Sequence, residues 1–140
     1  MKLNNILIKI PTIVLGLHAV FNIFRGGIHF FLPDGGSTVI AGLDIGSGDQ
    51  KQIIITIFAG IGVGQIIWGA LECYILFCAK KMITAILTFS TIASGMGMFI
   101  LYIFKPFPIT VPGHNNIYIF IVLIITTIIA YRNQSMRDYP

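Results

Sequence analysis

The sequence predicts an all-α integral membrane protein, a four-helix bundle whose N and C termini both lie on the cytoplasmic side. Hydrophobic residues make up 56% of the 140 residues, charged residues only 10%, and the mean hydropathy is +0.89. A soluble chain of this length has too little interior to bury so much apolar surface, whereas lipid solvates it. Four segments reach the roughly 20 apolar residues that a helix needs to cross the bilayer core.

The length allows one domain, and we predict a single transmembrane domain over residues 1–140. The net charge of +4 and the pI near 9.3 do not indicate nucleic-acid binding, because the basic residues form no patch with interleaved aromatic residues. They flank the apolar segments, where they favour anionic headgroups. Membrane lipids are therefore the predicted partners, and no nucleic acid is expected.

The first predicted span follows a basic N-terminal segment without a small-x-small cleavage site, so we interpret it as a retained signal anchor. A Gly/Asp-rich loop, residues 33–52, separates it from the second span, and its apolar middle, residues 38–45, is expected to fold back over the bundle mouth. Lys80-Lys81 forms the next turn, and a segment with three prolines precedes the last span. The predicted spans are residues 6–32, 53–79, 82–104 and 117–131.

The distribution of Lys and Arg predicts the orientation of the spans, because cytoplasmic ends carry an excess of positive charge. Lys51 and Lys105 lie on one side and Arg25 lies within a span. The larger group lies on the other side: Lys2, Lys9, Lys80, Lys81, Arg132 and Arg137. Both termini and the Lys80-Lys81 turn are therefore predicted to face the cytoplasm.

The first span carries a stripe of polar residues, His18, Asn22, Arg25 and His29, whose spacings of four, three and four place them on one helical face. Polar groups in the hydrocarbon core are costly and usually face the interior of a bundle or a wet cavity. Two interpretations remain open. The stripe is either a hydrogen-bonding seam between helices, with Arg25 and His29 reaching the outer interface, or a site for a ligand, a proton or an ion.

The second span presents a matching stripe, Gln65, Trp68 and Glu72, beside the glycine pair Gly60 and Gly64, which is expected to admit a close helix neighbour. At 1.5 Å per residue, Gln65 is predicted near the level of His18 and Asn22 in the antiparallel neighbour. Glu72 is expected deeper toward the cytoplasm, either protonated within the bundle or held near the interface by the lysines that follow it.

The first loop offers Asp34 and Asp44 as predicted partners for Arg25 and His29, which would close the outer mouth. Thr and Ser residues of the third span are interpreted as packing residues. The fourth span is almost purely aliphatic apart from Thr126 and Thr127, and it is interpreted as a lipid-facing helix.

No motif in the sequence indicates a metal site or a cofactor, and neither is predicted. The three histidines lack ligand spacing, and the glycines at residues 60–64 lie inside a span rather than after a strand. Cys73 and Cys78 are five residues apart on one helix, about 140° around its axis, and are interpreted as packing residues.

Three sequence blocks carry a family resemblance: RGGIHFFLPDGG from residue 25, IAGL from residue 40 and GQIIWGALE from residue 64. The pattern resembles the DoxX-like group of small four-helix bacterial membrane proteins, including its DUF4345-type members. The resemblance implies a four-helix bundle in the bacterial inner membrane. Some members of the wider group are linked to quinone-associated redox complexes, but no redox motif is present in this sequence.

Three functions remain as hypotheses. The first is a binding protein or accessory subunit whose two polar stripes line a pocket for a quinone or a lipid-like amphiphile, acting alone, as a homo-oligomer or in a membrane complex. The second is an oligomeric proton-coupled transporter or channel that uses Glu72 and His18 as relay groups. The third is an enzyme with His18 or Glu72 as general base, for which no second catalytic group can be placed.

Overall fold

The computed structural model describes residues 2–38, 42–43, 45–104 and 115–138, and the side chains among these from residue 7 to residue 135. The described chain is all-helical. It contains α1 (Lys2–Phe31), α2 (Gly48–Cys78), a short 3₁₀ helix (Lys80–Met82), α3 (Ile83–Phe99) continued by a π-helical turn (Ile100–Phe104), and α4 (Asn116–Asp138).

All four predicted helices are present, and each is long and apolar enough to cross a membrane. α2 begins upstream of the predicted boundary at Ile53, and α4 continues beyond the predicted boundary at Tyr131. The helices therefore extend past their apolar segments into polar sequence at these two ends.

The chain divides into two compact units. Unit 1 contains α1 up to Leu17, α2 from Glu72, α3 and α4. Unit 2 contains α1 from His18 and α2 up to Leu71, together with the described residues that connect them. Many large apolar side chains of both units are exposed, as expected for helices that pack against lipid.

α4 exposes much of its apolar surface, in agreement with its interpretation as a lipid-facing helix, but it also has a buried face, which packs against α3 in the core of unit 1. The buried residues of α4 recur at helical spacing and form one face: Leu123, Thr126, Thr127, Ala130 and Asn133. Thr91 and Thr127 share a 2.9 Å hydrogen bond between their hydroxyl groups, and Thr88 Oγ1 donates to Tyr131 Oη at 3.2 Å. These contacts agree with the prediction that the threonines of the third helix serve packing.

A proline within α1 is compensated by α4 in unit 1. Pro11 has no N–H, so the carbonyl of Leu7, four residues earlier, lacks its usual partner within the helix. Asn133 Nδ2 donates to this carbonyl oxygen at 2.9 Å. Because a buried carbonyl without a partner costs free energy, the Asn133 amide stabilises the contact between α1 and α4.

The helices of unit 2 approach closely enough for their backbones to touch. A Cβ placed on Gly62 would lie 2.7 Å from the carbonyl oxygen of Gly26, and one on Gly69 would lie 2.7 Å from that of Ala19. Glycine is required where backbones meet at this distance. The predicted pair Gly60 and Gly64 does not serve this role, since no described atom beyond the adjacent backbone of α2 lies within 4 Å of a Cβ at either position.

Candidate functional site

The glycine contacts fix the register of α1 against α2 in unit 2. Gly26 lies opposite Gly62, and Ala19 lies opposite Gly69, so the two helices are antiparallel and matched over two turns. In this register Gln65 is level with Asn22 and the residue that follows it, as the sequence predicted. Trp68 is level with the turn between His18 and Asn22.

Helix geometry also sets the direction of the two polar stripes. His18, Asn22 and Arg25 each precede a contact residue of α1, and Gln65 and Trp68 each precede a contact residue of α2. The residue before a contact residue lies about 100° away from it around the helix axis. Because the two helices are antiparallel, the side chains at these preceding positions lie on the same side of the helix pair. We call this surface, formed by His18, Asn22, Arg25, Gln65 and Trp68, the polar face of unit 2.

Within the polar face, His18 and Asn22 are half-buried and hydrogen-bonded across one helical turn. The Nδ2 atom of Asn22 lies 3.3 Å from the Nδ1 atom of His18. Since an amide nitrogen only donates, Nδ1 of His18 accepts, and the ring presents Nε2 as its donor. The pair therefore holds the imidazole in one orientation.

Arg25 and Gln65 complete the polar face with a cation and an acceptor. The Arg25 guanidinium lies 5.9 Å from the centroid of the Phe21 ring, within the range of a cation–π contact. The side chain of Gln65 is half-buried, and its Oε1 atom is buried without a hydrogen-bond partner among the described residues. An acceptor in this state costs about 1–3 kcal/mol unless a donor reaches it.

His29, predicted as a site residue, instead anchors the turn that follows α1. Its side chain is 2% exposed, its ring packs on Phe58 with centroids 5.3 Å apart, and its Nδ1 atom lies 2.6 Å from the carbonyl oxygen of Gly35. A carbonyl oxygen only accepts, so Nδ1 donates. Gly35 is required here because its φ is +63° and a Cβ would lie 2.9 Å from that of Phe58.

Asp34 also stabilises this turn rather than pairing with His29 as predicted. Its carboxylate accepts from the backbone N–H groups of Gly36 at 3.0 Å and Thr38 at 3.3 Å. The hydrogen bond from Gly36, assisted by that from Thr38, lowers the pKa of the Asp34 carboxyl below its ordinary value. The other predicted loop residue, Asp44, lies outside the described residues, as do residues 39–41 of the segment expected to fold back and His114.

Glu72 is assigned to unit 1, whereas Gln65 and Trp68 of its predicted stripe are assigned to unit 2. Its side chain is fully buried, and Ser90 Oγ of α3 donates to its Oε1 atom at 2.8 Å. Ser90, itself 1% exposed, was interpreted only as a packing residue. The sequence places both residues on apolar helices, but their pairing depends on how α2 and α3 face each other, which spacing within one helix does not show.

Unit 1 also contains a polar cavity of about 320 Å³ that no pattern in the sequence predicted. Its wall includes Lys80 and Lys81 with side chains of α1, α3 and α4, among them Thr12, Thr84, Asn133 and Gln134. The available signal was Pro11, since the carbonyl that a proline frees inside a span favours a nearby polar group, here the cavity residue Asn133.

No family model, no curated protein and no solved structure matches this sequence.

Proposed function

We propose that the protein is a membrane-embedded binding protein whose polar face in unit 2 holds the headgroup of a small amphiphile of the quinone or lipid type. The observation that carries this proposal is the buried Oε1 atom of Gln65, which has no hydrogen-bond partner among the described residues and lies near the level of Asn22. Within a membrane-length helix, such an acceptor favours a ligand that brings a hydroxyl donor.

The chemistry of the polar face suits a headgroup with both donor and acceptor oxygens. A hydroxyl group donates to Gln65, and a carbonyl or phosphate oxygen accepts from Nε2 of His18 or from the Arg25 guanidinium. Trp68 and Phe21 supply aromatic surface for the apolar part of the same molecule. A quinone–quinol pair and a hydroxylated lipid headgroup both meet this description.

Replacing Gln65 with Leu is expected to lower retention of the amphiphile about tenfold, which corresponds to the loss of one hydrogen bond of roughly 1.4 kcal/mol. Retention is measured by organic extraction and mass spectrometry of protein purified in mild detergent. The ligand-free variant is expected to unfold at the same or a higher temperature, since the substitution removes an unpartnered buried acceptor.

The matched control is Gln52→Leu, which makes the same exchange at an exposed position near the start of α2. This variant is expected to retain the amphiphile as the unchanged protein does. Equal retention in the Gln65 and Gln52 variants would show that the polar face does not bind the headgroup.

We also propose that the chain is a DoxX-like protein of the bacterial inner membrane with both termini in the cytoplasm. The blocks RGGIHFFLPDGG and GQIIWGALE and the four membrane-length helices support the family, and the excess of Lys and Arg at one set of helix ends supports the orientation. The protein would then present the bound amphiphile to partner subunits, either as an accessory subunit of a membrane complex or as a homo-oligomer.

A second candidate function, proton-coupled transport, is favoured by the fully buried Glu72 within a membrane-length helix. Glu72→Gln preserves an acceptor for Ser90 but no longer exchanges a proton at this position. If transport is the function, solute flux into proteoliposomes is expected to depend on pH and to disappear in this variant. A variant with normal, pH-dependent flux would exclude Glu72 as the proton carrier.

A further inference from the structure

The cavity of unit 1 is a second site, separate from the polar face in both its residues and its chemistry. It measures about 320 Å³, within the range of small-molecule sites, and is lined by residues from α1, the 3₁₀ helix, α3 and α4. Convergence of four segments gives it a defined shape, in contrast to a pair of lysines on an open surface.

The cavity wall is basic and rich in hydrogen-bonding groups. Lys80 and Lys81 contribute two cations, Thr12 and Thr84 contribute hydroxyl groups, and Gln134 contributes an amide. None of the described residues that line the cavity is acidic. A wall of this composition attracts an anion and offers several donors to its oxygens.

The position of the cavity along the helices indicates that its ligand also has an apolar part. Lys80 and Lys81 connect α2 to α3, at the polar end of two membrane-length helices, while Ile8 and Ile83 line the same cavity. Ile8 is 47% exposed, so apolar surface continues from the cavity onto the side of α1. An anion with an attached hydrocarbon chain would therefore contact both kinds of surface.

We propose that this cavity binds a phosphate-bearing anion, with the phosphate against Lys80 and Lys81 and hydrogen-bonded by the neighbouring hydroxyl and amide groups. The two sources of such a group are an anionic phospholipid and free phosphate. Basic pockets between membrane helices are known to suit phosphorylated headgroups, and two lysines supply the charge that distinguishes phosphatidylglycerol from the zwitterionic phosphatidylcholine.

The test is a titration of the purified full-length protein with phosphatidylglycerol and with phosphatidylcholine, followed by native mass spectrometry. We expect phosphatidylglycerol to bind more tightly. The double variant Lys80→Gln/Lys81→Gln is expected to weaken that binding about 10- to 30-fold, since each lysine near a lipid surface raises the affinity for an anionic lipid about fivefold. Both lysines are exposed, so the variant is expected to fold.

The matched control, Lys9→Gln/Arg132→Gln, removes the same charge from exposed residues of α1 and α4 that do not line the cavity. It is expected to weaken binding less than about threefold, because charges outside the site are screened. A third variant, Thr12→Trp, fills the cavity while both lysines remain, and it is expected to abolish the preference. Equal losses in the two double variants, or an unchanged preference in Thr12→Trp, would overturn the proposal.

Inorganic phosphate distinguishes the two sources of the anion. Competition by millimolar phosphate against phosphatidylglycerol supports a free anion as the natural occupant, and its failure to compete supports a lipid headgroup. Gln65→Leu alters none of the residues of this cavity. A negative result for ligand binding at the polar face therefore does not exclude phosphate binding in this cavity. A negative result for the cavity likewise does not exclude binding at the polar face.

Discussion

Gly62→Ala is expected to destabilise the protein by about 3 kcal/mol, at the upper end of the cost of overpacking. The new methyl group would lie 2.7 Å from the Gly26 carbonyl oxygen and 2.9 Å from the Phe30 backbone nitrogen. Both are backbone atoms of α1, so no side-chain rotation relieves the contact and the helices must separate. The midpoint of thermal unfolding in detergent, measured as loss of the monodisperse species, is expected to fall by roughly 10 °C.

Gly60→Ala and Gly64→Ala are the controls for this result. They lie one helical half-turn to either side of Gly62, and a Cβ at either position meets no described atom within 4 Å beyond the adjacent backbone of α2. Alanine is expected to be neutral there or to stabilise α2 by up to about 1 kcal/mol through helix propensity. If Gly62→Ala unfolds at the same temperature as these controls, the close approach of α1 and α2 in unit 2 is wrong.

Asn133→Leu is expected to cost about 2 kcal/mol, since it leaves the Leu7 carbonyl beside Pro11 without a donor. The cost should depend on the proline. Pro11→Ala restores an N–H four residues after Leu7, so the carbonyl regains a partner within α1. In the Pro11→Ala background, Asn133→Leu is therefore expected to cost well under 1 kcal/mol.

A double-mutant cycle of thermal or denaturant unfolding measures this coupling between Pro11 and Asn133. A cost for Asn133→Leu that is equal in both backgrounds would show that the amide does not compensate the proline. Because Pro11 and Asn133 also line the cavity of unit 1, the cycle is measured on lipid-depleted protein in phosphate-free buffer, so that it tests the packing of unit 1 alone.

The helices themselves were predictable from the sequence, because each span is a long apolar run bounded by charged or proline-rich segments. Apolar runs do not reveal which side of a helix is buried, since lipid and core both accept Ile and Leu. The buried face of α4 was missed for this reason. Thr126, Thr127 and Asn133 mark that face, but they are too few to show a period unless the neighbouring helix is known.

The polar face was predictable in part. Spacing within α1 placed His18, Asn22 and Arg25 on one face, and a ruler of 1.5 Å per residue placed Gln65 near the level of His18 and Asn22. The roles of His29 and Asp34 were not predictable, because both depend on the backbone of the turn at Gly35 and Gly36, where positive φ angles bring carbonyl and N–H groups toward the two side chains. The hydrogen bond between Glu72 and Ser90 was not predictable either, because it depends on how α2 and α3 pack together.

We expect the polar face of unit 2 to bind one small amphiphile per chain. The most direct measurement is native mass spectrometry, with identification of the extracted ligand, on gently purified Lys80→Gln/Lys81→Gln protein, in which a lipid at the basic cavity does not obscure the result. We predict one tightly bound quinone or lipid-like molecule per chain, which is lost when Gln65→Leu is added. A protein that carries no such molecule, or that carries it equally after the Gln65 substitution, would contradict the claim.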